Sequence, residues 1–216
     1  MRGRLIALAW MLTGSACSAA TGPELEPYRA MATSARGAHL IAIAQAALIG
    51  EPSASTDSNA ALSARDSLVP EWPATPRPVY VTLVSGGATR ACLGTDSPLG
   101  SLEGTVRALA TRLLTDDRRR APIDSDELER LRLVIAFAGV AEPIAEPDRV
   151  DPMREGLRIE TERGAIAFLP GEARTIAWAL REARRVGVLT GATSDARFSR
   201  FDVVTLSGPA RVPSRD

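Results

Sequence analysis

Two β-rich runs, Val79-Tyr80-Val81-Thr82-Leu83 and Thr89-Arg90-Ala91-Cys92-Leu93, stand on either side of Ser85-Gly86-Gly87-Ala88. Branched and aromatic residues favour extended backbone, and glycines accept the backbone angles of a tight turn, so this segment is constrained to an antiparallel hairpin. Strand alternation then sets Arg90 and Cys92 on one face, with Ala91 and Leu93 on the other. Two roles are open to Cys92. An adjacent guanidinium favours the thiolate and makes a reactive cysteine; a dry, apolar face makes it a small hydrophobe of the core.

Around the hairpin the periodicity changes repeatedly. Leu40, Ile41, Ala44, Ala47 and Leu48 fall at helical spacing from Leu40 to Ile49, and Gly50 is a stop signal. Glu51 to Pro78 is rich in Ser, Ala, Asp and Pro and reads as a surface loop, with Trp72 pinning it to the domain. Ser97-Pro98 opens a second helix carrying Leu102, Val106, Leu109 and Leu113, and Ser125 to Leu128 opens a short one. Leu131, Leu133, Ile135 and Phe137 alternate as a strand, followed by strands at 157–161 and 165–169, a helix ending at Arg185 and a closing strand from Phe201 to Leu206. Strands and helices mix without a βαβ rhythm, which predicts an α+β fold with an antiparallel or mixed sheet and flanking helices.

The N-terminus has a separate logic. Arg2 and Arg4 precede an apolar core from Leu5 to Leu12, and small residues run through Thr13, Gly14, Ser15 and Ala16 to Cys17. That is the pattern of a secretory signal peptide over residues 1–20. Cleavage before Cys17 leaves a thiol for acylation and a membrane-surface tether; cleavage after Ser18-Ala19-Ala20 discards it. The first cut predicts a lipid-anchored protein of the periplasm or cell envelope. Residues 21–37 read as a polar tether, 38–207 as a single domain and 208–216 as a flexible tail.

Composition prunes the chemistry. The whole chain balances 26 basic against 26 acidic residues, and losing Arg2 and Arg4 with the signal leaves 24 against 26. Nucleic-acid binding needs a concentrated basic face, which this balance does not offer. Every basic residue is arginine, so no lysine can form a Schiff base or serve a P-loop. One histidine, His39, within an apolar helical run, cannot build a multi-histidine metal site and reads as half-buried and structural. Arg118-Arg119-Arg120 reads as a solvated cluster matched to a helix C-terminus. Asp116-Asp117 beside it is an ion-pair network or a site. No dinucleotide fingerprint, nucleophile elbow or metal-ligand spacing occurs, so neither cofactor nor metal is expected.

Val81-Thr82-Leu83, a Gly-bearing turn and Arg90-x-Cys92-x-Gly94 resemble the signature of the AMMECR-type domain, V-T-L followed by G-x-L-R-G-C-I-G. Asp117-x-Arg119 with Pro122-Ile123 and Glu127-Leu128 is similar to the D-P-R-F-P-P-L-x-x-x-E-L segment of that family. Glu142-Pro143-Ile144, Gly156-Leu157, Leu169-Pro170 and Arg185-Val186-Gly187-Val188 follow in the family's order, so the resemblance covers roughly Leu40 to Val203. The chain departs from the pattern at Ala91, where the family has Gly, at Arg118 and Arg120, where it has Pro and Phe, and at Glu155, where His is common.

The resemblance implies two unequal lobes with the Arg-x-Cys segment lining a cleft between them. It also implies association of bacterial and archaeal relatives with Memo-like and radical-SAM proteins in an unspecified modification step. Two functions fit. In one, the domain is an envelope-facing binding or scaffold module for a small anionic ligand or a protein partner. In the other it is an enzyme in which Cys92 is a nucleophile or redox thiol, Arg90 holds its thiolate or a substrate anion, and Gly94, Asp117 and Arg119 line the substrate site.

Overall fold

The structure is a computed structural model, and it describes residues 22–51, 72–98, 100–117 and 122–211. Among the described residues, eight strands form two four-stranded sheets in which every pairing is antiparallel. The first has the order β2-β1-β3-β8, from β1 (Val79–Ser85), β2 (Ala88–Thr95), β3 (Arg132–Ala138) and β8 (Val203–Pro209). The second has the order β4-β7-β5-β6, from β4 (Glu142–Ile144), β5 (Gly156–Thr161), β6 (Gly164–Phe168) and β7 (Arg197–Phe201). The expected closing strand is in fact two. The chain leaves β7 in one sheet, turns at Asp202 and enters β8 in the other, which a single apolar run does not announce.

One face of the first sheet is covered by helices α1 (Glu26–Ala32), α2 (Ala35–Leu48) and α3 (Leu102–Asp116). Val79, Val81 and Leu83 of β1, Leu133, Ile135 and Phe137 of β3, and Val204 and Leu206 of β8 alternate inward to meet Leu40, Ile43, Val106, Leu109 and Leu113. This is the main core. A second core lies between the other sheet and α4 (Ile176–Arg185), from Leu157, Ile159, Phe168 and Phe198 against Ile176, Ala179 and Ala183. Ser101 caps α3 by accepting from the Gly104 N–H at 3.0 Å, so this helix starts later than Ser97-Pro98 suggested. Trp72 packs against the main core and lies 5.0 Å from the Arg36 guanidinium, as a pin for the preceding loop should; residues 52–71 lie outside the described residues.

Two expectations need correction. Residues 21–37 are not a tether where they are described: a 3₁₀ turn at Pro23–Leu25 and α1 bury Leu25, Tyr28 and Met31. Three apolar residues at spacings of three suffice because they meet a preformed sheet; the Tyr28 ring lies 4.7 Å from that of Phe137 and its hydroxyl donates to the Thr75 carbonyl at 2.7 Å. The tail likewise begins inside the fold. Gly208 and Pro209 belong to β8, and Ala210 is fully buried with its N–H donated to the Leu131 carbonyl at 3.0 Å.

Candidate functional site

The hairpin turn is built as its glycines require: Gly86 and Gly87 both have positive φ, 54° and 81°, between the pairs Ser85↔Ala88 and Val84↔Thr89. One position later the register shifts. Leu83 opposes Ala91, so Arg90 is the extra residue of a β-bulge, and simple alternation fails there. Arg90 is drawn to the 3₁₀ turn Ser125–Arg130, where its Nε and Nη2 donate to the two carboxylate oxygens of Glu127 at 2.6 and 3.0 Å. Nη2 also donates to the Pro122 carbonyl at 3.2 Å. The expected pairing of guanidinium and thiol on one alternating face is thus replaced by a bidentate strut between β2 and the loop before β3. Ala91 keeps negative φ and packs its methyl into the main core.

Cys92 faces the second sheet. It is 7% exposed, within a small cluster of Tyr80, Ala136, Ala138, Leu169 and Phe201 where the two sheets meet. Thr82, its cross-strand partner, donates from Oγ1 to the sulfur at 3.2 Å. β2 is an edge strand, and the outward N–H of Cys92 is received by Asp117 Oδ2 at 2.9 Å. Asp117 is buried at the C-terminal end of α3, so it holds the helix end to the edge strand and satisfies an otherwise orphaned donor. Arg119 and Cys17 lie outside the described residues.

Gly94 serves the junction. The Tyr80 ring lies directly over it, across the pair Tyr80↔Gly94, so close that a Cβ on Gly94 would fall 2.1 Å from a ring carbon. Phe201 lies over Gly156 in the same way, across the pair Gly156↔Phe201. The two rings then stack nearly parallel, 6.5 Å apart with 8° between planes. Each sheet contributes an aromatic seated on a bare backbone, and the two aromatics join the sheets.

A polar chain closes this junction at one side. The Tyr80 hydroxyl donates to Asp96 Oδ1 at 3.2 Å, Arg158 bridges Asp96 and Glu160, and Arg197 reaches Glu160 at 2.7 Å. Burial, with the Asp96 charge and hydrogen bond, pushes the Tyr80 phenol far above its ordinary pKa and keeps it a protonated donor. Behind the chain is a cavity of about 200 Å³ lined by Tyr80, Cys92, Asp96, Arg158 and residues 165–167 of β6. Sequence alternation alone could have found Tyr80 and Thr82 beside Cys92. Arg158, from the other sheet, carries no such signal.

On its other side the open face of the first sheet becomes a groove of about 900 Å³. Its floor follows from the strand register, with Thr82, Val134 and Ser207 in one row across the sheet and Thr89, Val84 and Arg132 in the next. Met153, Arg154 and the loop from Leu169 to Glu172 form one wall, and Arg29, Gly87, Asp202, Val203 and Thr205 complete the lining. Arg132 is exposed and makes no ion pair among the described residues, whereas Glu172 and Asp202 each accept a backbone N–H, from Leu169 at 3.1 Å and Gly22 at 3.2 Å. His39 is half-buried elsewhere, 3.0 Å from Glu103 between α2 and α3.

Two antiparallel sheets, one three-helix cover and one single-helix cover, with a cysteine hairpin at their junction, define an α+β domain. Residues 41–205 match the AMMECR1 family, and the chain belongs to that family. The fold is similar to the crystal structure of an uncharacterized protein, PH0010, from Pyrococcus horikoshii, with a TM-score of 0.51 and 17% identity over 82% of this chain and 95% of that one. No curated protein sequence matches the chain.

Proposed function

We propose that this protein is an exported, lipid-tethered member of the AMMECR1 family that acts as a binding module, holding a small anionic ligand in the groove on the open face of its first sheet. The observation that carries this reading is the uncommitted Arg132 guanidinium in a groove of about 900 Å³ floored by hydroxyl-bearing strands. Pockets of roughly 300–1,000 Å³ with a few convergent polar groups are the usual form of small-molecule sites. The three expected catalytic and ligand residues that the structure describes beside Cys92 have structural engagements instead: Arg90 with Glu127, Asp117 with the Cys92 N–H, and Gly94 under Tyr80.

Titration with inorganic phosphate, followed by amide and side-chain NMR shifts, tests the reading. Shifts at Arg132, Thr205 and Ser207 that weaken in Arg132→Gln support it; silence at all three overturns it. For export and tethering, mass spectrometry of the mature N-terminus should find acylated Cys17, and an unmodified Thr21 terminus rejects the tether. One observation favours the thiol enzyme as a second reading: Cys92 lines its own cavity and accepts a hydrogen bond from Thr82. Alkylation of the folded protein by iodoacetamide at neutral pH, lost in Cys92→Ala, is its test.

A further inference from the structure

We infer that the ligand of the groove is an anionic amphiphile drawn from the adjoining membrane surface, a phosphate-bearing lipid whose acyl portion lies along the apolar part of the floor. This rests on the groove being a binding site and Cys17 an anchor, and it adds the class of ligand and its source.

Position is the first argument. The Gly22 N–H is bonded to Asp202, and Asp202 lines the groove. Gly22 is five residues beyond Cys17, and at about 3.4 Å per residue that connection spans at most about 17 Å. An acyl anchor at Cys17 therefore holds this corner of the groove within a lipid's length of the headgroups. Chemistry is the second argument. Val84, opposite Arg132 in the register, Val134 two residues along β3 and the wall residue Met153, itself 57% exposed, give the groove an apolar part beside Arg132. A bare phosphate would leave that part in water, and a purely apolar molecule would bury Arg132 unpaired. A molecule with an anionic head and an apolar tail satisfies both.

The experiment compares dihexanoyl phosphatidylglycerol below its micelle concentration, glycerol 3-phosphate and inorganic phosphate on the purified mature chain. Each buried methylene is worth about fourfold in affinity, so the amphiphile should bind at least tenfold tighter than glycerol 3-phosphate. Arg132→Gln should weaken both by about tenfold, and the near-isosteric polar change Val134→Thr should weaken the amphiphile more than glycerol 3-phosphate. Should the amphiphile bind no tighter than glycerol 3-phosphate while Arg132 still responds, the lipid inference fails and the anion-binding groove stands. Should none of the three disturb the groove residues, the groove reading falls with it. Native mass spectrometry of protein taken from the envelope tests the source: a bound phospholipid on the anchored chain, reduced at least twofold in Cys17→Ser, is expected. Equal occupancy in both overturns delivery from the anchoring membrane.

Discussion

Gly94→Ala isolates the device that joins the two sheets. In an ordinary strand this change is favourable, because glycine gives up more backbone freedom on folding, by about 0.5–1 kcal/mol. Here the new methyl would sit 2.1, 2.5 and 2.9 Å from three carbons of the Tyr80 ring, where carbon atoms at rest stand about 3.5–4 Å apart. Relief requires moving the ring by more than an ångström. The ring is pinned by the Phe201 stack behind it and the Asp96 bond at its hydroxyl, and Phe201 is pinned in turn on Gly156. Overpacking of this kind costs about 1–3 kcal/mol, so after the intrinsic gain of about 0.5–1 kcal/mol the variant should lose about 1 kcal/mol in urea unfolding. For a domain of this size that corresponds to a fall in Tm of about 2–4 °C. The decisive measurement is the same substitution in a Tyr80→Ala background. With the ring gone the sign should reverse, to neutral or stabilising by about 0.5 kcal/mol. Equal losses in both backgrounds would refute the seating of Tyr80 on Gly94.

Two other substitutions follow from the same site. Asp117→Ala removes the acceptor of the buried Cys92 N–H and should cost about 1–3 kcal/mol in urea unfolding, with Asp117→Asn, which keeps an acceptor oxygen, recovering part of the loss. Because burial and Asp96 raise the Tyr80 pKa above its unfolded value of about 10, the unfolded state ionises first as pH climbs. The stabilisation is complete below about pH 10 and declines above it, so the urea midpoint should fall progressively from about pH 10 upward, and Tyr80→Phe should reduce that fall.

Much of the molecule was legible before any coordinates. The hairpin, the apolar alternation of β3 and the α3 stripe are local periodicities, and the order of short motifs around Cys92 is a property of the chain alone. The polar look of residues 21–37 misled because three buried side chains are too few to shift average composition, yet enough to seat a helix on a sheet.

The sequence by itself determined the class of fold, the absence of lysine chemistry and the family. Only the tertiary structure decided that Arg90 braces Glu127, that Asp117 satisfies the backbone of Cys92, and that two aromatics on two glycines hold the sheets together. The physical reason is range. Periodicity and turn chemistry act over a few residues, whereas a bulge, an edge-strand acceptor and a ring stacked across two sheets depend on segments tens of residues apart meeting at distances that no local pattern encodes.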